Sequence, residues 1–230
     1  MARYFEYGDE AIAHLKARDP KLAQAIDVIG HVNREMMEEG DLFAAVVHHI
    51  IGQQISSAAQ ATVWARLRET LGAITPATVN AATLEQLQSC GTTFKKAGYI
   101  KGFAEKVESG EFDLDAVAHM SDAEAIAALS SLSGIGEWTA EMLLLFCLGR
   151  PDILSFGDLA IHRGMRMVYH HRKVTRQMFE KYRRRYSPYG SVASLYLWAV
   201  SHMDVPGYDR DYAPMTEAQK KAARKKRTAK

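Results

Sequence analysis

Cysteine is scarce in this 230-residue chain, which holds only Cys90 and Cys147. Both lie in apolar helical patterns, so we expect two reduced core thiols and no disulfide. Two cysteines are also too few for a four-cysteine iron–sulfur cluster, and we expect none. The sequence has no apolar run of about 18 residues, and its first residues lack the apolar core of a secretory signal. These absences predict a cytoplasmic protein that has no membrane partner.

Acidic residues are nearly missing from one stretch of a chain whose formal net charge is only +2. Between residues 171 and 185, Glu180 is the only acid among many arginines and lysines, and a second basic run forms the tail at 220–230. Such runs are typical either of solvated faces and disordered tails or of a surface that meets phosphates. Charge alone does not decide between these two interpretations.

Strand signals are also few, and the best is the short run Tyr4–Tyr7. Apolar residues recur at helical spacing nearly throughout, as at Leu22, Ala25, Ile26 and Ile29. We therefore predict an all-α fold, with loops near 72–78, 109–113, 149–156 and 205–214. Three helix starts are legible from capping signals: Asp19 before Pro20, Thr83 with Gln86, and Ser121 with Glu124.

The most informative stretch is residues 129–146, where an apolar helix end meets the turn Ser133-Gly134-Ile135-Gly136 and a leucine-rich helix follows. Two glycines separated by one residue permit a sharp turn and a close approach of the backbone. The N-terminus of the following helix favours an anion such as a DNA phosphate. An ordinary helix–turn–helix packing motif with a glycine C-cap remains the alternative.

With the preceding leucine and Thr139-Ala140, this pattern resembles the helix–hairpin–helix of the DNA glycosylase superfamily that also contains endonuclease III. The form Gly-Ile-Gly-x-Trp-Thr-Ala is most similar to the 3-methyladenine DNA glycosylase II group. The resemblance extends over roughly 40–203 and implies two helical subdomains flanking a DNA-binding cleft. It assigns DNA contacts at the hairpin to Gly134, Ile135, Gly136 and Thr139.

The superfamily has an essential aspartate about 20 residues after its hairpin, and Asp158 occupies that place. Asp158 also has the position of a helix N-cap, a role that can coexist with catalysis. Asp152 in the same loop is the competitor. One carboxylate suffices for the chemistry, since cleavage of an N-glycosidic bond builds positive charge on the sugar that a fixed anion stabilises.

Bifunctional relatives carry a lysine just after the hairpin, where this chain has Trp138. An indole cannot form the Schiff base that leads to strand cleavage, so the resemblance implies a monofunctional enzyme. Trp138 suits a pocket for a flat cationic base, and Trp198 is a second pocket candidate. The alternative for both is a core tryptophan, which the apolar stripe around Trp198 favours there.

The segment Gln53-Gln54-Ile55-Ser56 resembles the part of alkylbase glycosylases that fills the gap left by a flipped base. Gln54 is our wedge candidate and Gln53 the next, against the alternative of two exposed glutamines. Lys95 and Lys96, in a further matching stretch, are candidates for phosphate contact, with plain solvation as the alternative. We also expect no metal at the adjacent histidine pairs, whose members point about 100° apart on a helix.

We predict four segments: an N-terminal one (1–38) that packs with the C-terminal subdomain, a central subdomain (39–135), a C-terminal subdomain with the catalytic loop (136–219), and the basic tail (220–230). The predicted function is excision of alkylated purines, of the 3-methyladenine and 7-methylguanine type, from double-stranded DNA. We expect a monomer that requires no cofactor, with a structural sodium or potassium ion possible by resemblance at the carbonyls of Leu132 and Gly134. The alternatives are a glycosylase for another damaged or mismatched base, a non-catalytic DNA-binding module, and a helical protein scaffold.

Overall fold

The computed structural model describes residues 3–37, 41–202 and 205–214, which confirm the all-α prediction. The predicted strand at Tyr4–Tyr7 is reduced to an isolated bridge between Tyr4 and Glu35. The predicted basic tail lies outside the described residues. Thirteen helices occur in the described part of the chain: α1 (Asp9–Arg18), α2 (Pro20–Ile29), α3 (Leu42–Gly52), α4 (Ser57–Leu71), α5 (Pro76–Ala81), α6 (Leu84–Ser89), α7 (Phe94–Glu108), α8 (Leu114–His119), α9 (Asp122–Ser130), α10 (Glu137–Phe146), α11 (Leu159–Tyr169), α12 (Arg176–Tyr186) and α13 (Gly190–His202).

The helices begin where short polar side chains cap them. The Asp19 carboxylate accepts hydrogen bonds from the amides of Lys21 and Leu22 at the start of α2. The capping boxes predicted at Thr83 and Ser121 are both present. The loop predicted at 72–78 was wrong at its end, because Thr75 caps a helix that begins at Pro76. Its capping box closes with a threonine in place of the usual glutamate or glutamine, which hid the signal.

The chain divides into two compact units. Of the described residues, unit 1 comprises 3–6, 33–37 and 41–153, and unit 2 comprises 7–32, 154–202 and 205–214. The boundary predicted at 135/136 would separate the two helices of the hairpin. The structure keeps both in unit 1, because α10 packs against α9 and α3.

Unit 1 is built around α3, which is apolar on nearly all sides. Eight of its residues are buried, as expected of a central helix: Leu42, Phe43, Ala44, Ala45, Val46, Val47, Ile50 and Ile51. Helix α3 packs against α4, α7 and α10, and the Phe43 ring stacks on Phe103 of α7 with 4.9 Å between centroids. This packing brings the end of α3, helix α7 and the hairpin into one part of the unit.

Unit 2 depends on close packing of α11 against α13. A Cβ atom added to Gly164 on α11 would lie 2.2 Å from the backbone oxygen of Leu197 on α13, so only glycine permits this approach. Helix α2 packs on both. A buried polar group closes the core, since Tyr169 and Arg185 both donate to the Asp19 carboxylate. Helix α11 is therefore packed against α13 at Gly164 and held at its last residue by the Asp19 carboxylate.

Within the described ranges, none of the helices combines the length and the apolar character that a membrane span requires.

Candidate nucleic-acid interface and active site

The hairpin turn in unit 1 is shaped by Gly134. Its φ of +88° lies in the left-handed region that favours glycine. A Cβ at this position would also lie 2.5 Å from the ring of Tyr99 on α7, so the ring occupies the space that glycine leaves. Ile135 is buried and donates its amide to the carbonyl of Leu132 over 3.0 Å. The turn is thus anchored by the Tyr99 ring beside Gly134 and by the buried Ile135 between the two glycines.

Helix α10 begins directly after the turn. Its N-cap residue is Gly136, which supplies no side-chain cap to the first-turn amides. Helix N-termini of this kind favour anions through their N–H groups and the helix dipole. Thr139 is buried one turn further on, whereas Trp138 keeps 44% of its surface exposed. Trp138 is therefore not the buried core tryptophan of the alternative interpretation.

The two glutamines after α3 differ in exposure and in hydrogen bonding. Gln54 is exposed and takes a φ of +58°, which is uncommon for a residue with a side chain. Gln53 instead donates its side-chain Nε2 to the Gly134 carbonyl over 2.6 Å. Gln54 is thus exposed at a tight turn, whereas the side chain of Gln53 is hydrogen-bonded to the hairpin.

The two lysines at the start of α7 also differ. Lys95 is exposed, with its Nζ 5.7 Å from the centroid of the Tyr99 ring. Lys96 donates its Nζ to the carbonyls of Ile51 at 2.8 Å and Gln53 at 2.6 Å, and burial lowers the pKa of its ammonium group. The structure therefore gives Lys96 backbone partners where solvent or phosphate was expected.

Asp158 lies at the N-cap of α11 in unit 2 and is only 8% exposed. Its Oδ1 accepts from the amides of Ala160 at 2.9 Å and Ile161 at 2.8 Å. The indole Nε1 of Trp198 on α13 donates to the same oxygen over 3.1 Å. Three N–H donors thus orient this carboxylate at a helix N-terminus, where negative charge is favoured. The competitor Asp152 lies in the turn after α10 and belongs to unit 1.

His162 is the titratable group one turn beyond Asp158. Burial is the main cause that lowers its pKa, and its Nε2 atom is buried without a hydrogen-bond partner. Its ring packs edge-on against Phe156 with 4.9 Å between centroids. We infer a neutral, packed imidazole at this position.

The cation expected by resemblance would bind at the carbonyls of Leu132 and Gly134. The Leu132 oxygen accepts from Ile135, and the Gly134 oxygen accepts from the Gln53 amide. A cation at Gly134 would share that oxygen with an N–H group whose positive end repels it. The residues therefore do not fit the expected ion. Among the residues that the structure describes, no group of three or more His, Cys, Asp or Glu side chains could hold a metal ion.

Sequence reasoning missed the contacts that hold the site residues in place. The bond from Trp198 to Asp158 joins residues 40 positions apart, and the bond from Gln53 to Gly134 joins residues 81 apart. No local pattern signals such contacts. The stripe position of Trp198 favoured a core role, yet its indole is part of the Asp158 site.

Comparisons with known proteins agree with this arrangement. A model of the HhH-GPD superfamily base excision DNA repair protein family matches residues 47–188, more than half of the chain. DNA-3-methyladenine glycosylase 1 of Schizosaccharomyces pombe is 28% identical over 200 residues, which cover 84% of this chain and 88% of the relative. The crystal structure of a DNA-3-methyladenine glycosidase from Bacillus halodurans is 30% identical, with a TM-score of 0.78 over 87% of this chain and 93% of that one. A Schizosaccharomyces pombe 3-methyladenine DNA glycosylase in complex with abasic DNA is 27% identical, with a TM-score of 0.72 over 87% of this chain and 100% of that one.

Proposed function

Because the chain belongs to the HhH-GPD superfamily of base excision DNA repair proteins, we propose that it is a DNA glycosylase that excises alkylated purines from duplex DNA. The relatives named 3-methyladenine glycosylases support this substrate class, and one of them is bound to abasic DNA, the product of base excision. We propose that it acts on DNA in the cytoplasm. One active site per chain is consistent with a monomer.

The observation that carries the proposal is the buried, oriented carboxylate of Asp158. As the bond between C1′ and the base breaks, its electron pair leaves with the base and positive charge develops on the sugar. An anion held in place beforehand stabilises that charge without reorganising during the reaction. Water then adds to C1′ and releases a proton, which leaves an abasic site.

An alkylated purine needs little further help to depart. N-methylation at the ring gives the base a positive charge, so it leaves as a neutral molecule without protonation by a general acid. This agrees with a site that has one dedicated carboxylate. It also favours alkylated over undamaged purines, because only the former are activated in this way.

We propose Trp138 of unit 1 and Trp198 of unit 2, each within its own unit, as residues that contact the flipped base. A flat cationic base gains roughly 0.5–2 kcal/mol from an indole face. The exposed face of Trp138 is open to such contact, and Trp198 joins its ring to the oriented carboxylate through Nε1.

We assign DNA positioning to the hairpin and to the turn after α3. Gly134, Ile135 and Gly136 form the turn before α10, and Thr139 lies buried in the first turn of this helix. The N-terminus of α10 suits a backbone phosphate. Gln54 is the better wedge candidate, because it is exposed while Gln53 is bound to the hairpin. Base flipping leaves a gap in the stack that such a side chain can fill.

We further propose that the enzyme is monofunctional and requires no cofactor. Position 138 holds an indole where a lyase needs an amine that can form a Schiff base. Cleavage of the DNA strand is therefore not expected. The indole at this position supports our proposal that the protein is a type II alkylbase glycosylase and not a bifunctional member.

The proposal is tested by incubating the purified protein with methylated duplex DNA in the presence of a chelator. Chromatography of the free bases resolves 3-methyladenine from 7-methylguanine. Release of either base, with strands that break only after alkali, is the expected result. Strand breaks without alkali would contradict the monofunctional assignment, and binding of the DNA without any base release would contradict alkylbase excision.

A further inference from the structure

Helix α7 carries two lysines that make the same kind of contact in different places. Lys96 donates to the carbonyls of Ile51 and Gln53, at 2.8 and 2.6 Å. Lys101 donates to the carbonyls of Asn80 and Ala82, at 2.9 and 2.8 Å. Each ammonium group thus satisfies two carbonyls at the C-terminal end of a helix, where positive charge is favoured. Lys101 serves the end of α5, whereas Lys96 serves the end of α3, next to the proposed wedge.

Gln53 is held by two hydrogen bonds, one that it accepts and one that it donates. Its backbone carbonyl accepts from Lys96, and its side chain donates to the carbonyl of Gly134 in the hairpin. Gln54, the next residue, has a left-handed backbone with a φ of +58°. A residue with a side chain keeps such a conformation only where its surroundings impose it. The contacts of Gln53 supply that constraint.

Helix α7 also contacts the hairpin directly. Tyr99 lies three residues after Lys96 on the same helix, and its ring fills the space beside Gly134 that a Cβ would otherwise take. The same turn of α7 therefore supports both the segment that carries Gln54 and the hairpin. Lys96 is half-buried, and burial lowers the pKa of its ammonium group. Its ammonium group is therefore hydrogen-bonded to two carbonyls within the protein.

We propose that Lys96 is a positioning residue that, through Gln53, fixes Gln54 at a set distance from the phosphate-binding hairpin. This inference rests on the proposed function, since it assumes that Gln54 enters the DNA stack. Phosphates and bases are regularly spaced along DNA, so a wedge works only if it is held in register with the phosphate anchor. A shift of about 1 Å at such a point can reduce the rate of a reaction about a hundredfold.

Lys101 offers a matched control for this proposal. Lys96→Met and Lys101→Met each remove an ammonium group and two carbonyl contacts from α7, and each keeps an apolar side chain of similar length. If Lys96 only stabilised the fold, the melting temperature would fall by the same amount in both variants, and both would flip and excise the damaged base alike. We expect equal melting temperatures but different behaviour on damaged DNA.

The experiment measures three properties of wild type and both variants. The first is single-turnover release of methylated purine at saturating protein. The second is fluorescence of a 2-aminopurine placed beside the lesion, which rises when the neighbouring base is flipped out. The third is the dependence of DNA affinity on salt concentration. We expect Lys96→Met to lower excision about tenfold to a hundredfold and to weaken the fluorescence rise, while Lys101→Met stays within about twofold of wild type.

The salt dependence separates positioning from direct contact with DNA. A lysine that binds a phosphate contributes a slope of about 0.9 to the plot of log affinity against log salt. We expect an unchanged slope for Lys96→Met. A slope reduced by that amount would overturn the proposal, because Lys96 would then be a phosphate ligand. Excision and flipping equal to those of Lys101→Met would overturn it as well.

Gln53→Ala supplies a second probe should Lys96→Met fold poorly. This variant removes the side-chain contact with Gly134 and leaves the lysine in place. We expect the same loss of flipping, and we expect the double variant to lose less than the product of the two single losses, because both act on one turn. Independent effects that multiply would contradict the proposal. If wild type itself released no base, the proposed function would fail, whereas wild-type release with normal Lys96→Met would reject this inference alone.

Discussion

Unit 1 exposes two of its candidate DNA-contacting side chains, whereas unit 2 keeps its candidate catalytic group buried. Gln54 and Trp138 are exposed. Gln53, the residue before Gln54, accepts a hydrogen bond from Lys96 and donates one to the Gly134 carbonyl. Asp158 is 8% exposed and receives three N–H donors. The contrast follows from the two tasks. A surface that meets DNA has to reach solvent, while an anion that stabilises a transition state has to be oriented in advance.

We expect the largest loss of stability in unit 2 from a change that separates α11 from α13. Gly164→Ala would place a Cβ 2.2 Å from the Leu197 backbone oxygen. We expect a loss of about 3 kcal/mol in the free energy of unfolding, since overpacking against backbone forces the helices apart. Base release should fall with it, because Trp198 would move away from Asp158. Urea denaturation measures the first effect.

Gly102→Ala is the control for this change. A Cβ at Gly102 would meet nothing within 4 Å in helix α7, so we expect a small gain of about 0.5–1 kcal/mol from helix propensity. Equal stability of the two variants would show that α11 and α13 do not pack as described.

The corresponding change in unit 1 is Gly134→Ala. It meets both an unfavourable φ of +88° and the Tyr99 ring. Gly30→Ala in unit 2 meets a similar φ of +73° with nothing within 4 Å. Gly30 combines this φ with a ψ of −150°, a region that is essentially restricted to glycine. We expect about 1–3 kcal/mol for the backbone strain in each variant, and about 1 kcal/mol more for Gly134→Ala because the ring has to move.

DNA affinity distinguishes these two glycines further. Only Gly134→Ala should weaken binding to undamaged duplex DNA, which a fluorescence anisotropy titration measures. Weaker binding by Gly30→Ala to the same extent would argue against the hairpin as the phosphate anchor.

Trp198→Phe sharpens the comparison between binding and chemistry. The change removes the Nε1 donor to Asp158 and keeps an aromatic ring. A hydrogen bond to a charged group contributes about 1.5–3 kcal/mol, so we expect kcat to fall at least about tenfold, in addition to any rise in KM from the loss of the indole face. Trp138→Phe in unit 1 should instead raise KM, because it touches only base binding. Steady-state kinetics on a duplex with one alkylated purine separates the two, and the opposite pattern would exchange their roles.

Acid should weaken unit 1 through His49 on α3. Burial, with a smaller contribution from His48, lowers the pKa of His49 to about 4 from the ordinary 6.5. The unfolded chain then binds more protons between these two values, so the free energy of unfolding is complete above pH 6.5 and falls as the pH drops toward 4. We expect a loss of roughly 1–2 kcal/mol at pH 5 from this group.

His49→Leu should remove that loss. Its Nε2 is buried without a hydrogen-bond partner, so leucine leaves no polar group unsatisfied there. Denaturation of both proteins at pH 7 and pH 5 gives the comparison. Equal acid sensitivity of variant and wild type would show that His49 is not the group that titrates.

Local sequence signals predicted a good part of this structure. Asp19 before Pro20 and the capping boxes at Thr83 and Ser121 mark helix starts from residues close in sequence. The Gly-Ile-Gly turn and the aspartate after it are likewise readable along the chain. These features depend on neighbours, so the sequence alone carries them.

The contacts that fix the site residues could not be predicted in this way. Lys96 reaches carbonyls 43 and 45 positions away, and Trp198 reaches a carboxylate 40 positions away. Such partners are chosen by how helices pack, and periodicity shows which face packs but not against what. For that reason Lys96 was predicted to meet phosphate or solvent, and Trp198 was predicted as a pocket candidate with a core role as the alternative, without the partners that the structure gives them. The boundary at 135/136 was misplaced for the same reason, because α10 joins unit 1 through its packing on α3 and α9.

The most direct test of the account compares wild type with Asp158→Asn for release of methylated purine at saturating protein, with Asp152→Asn as the control and DNA affinity measured in parallel. Asparagine keeps the size and removes the charge. We predict that Asp158→Asn loses excision by at least about a thousandfold while its DNA affinity and the activity of Asp152→Asn stay near wild type. Continued excision by Asp158→Asn would contradict the account, since the buried carboxylate of unit 2 would then not be the group that drives cleavage.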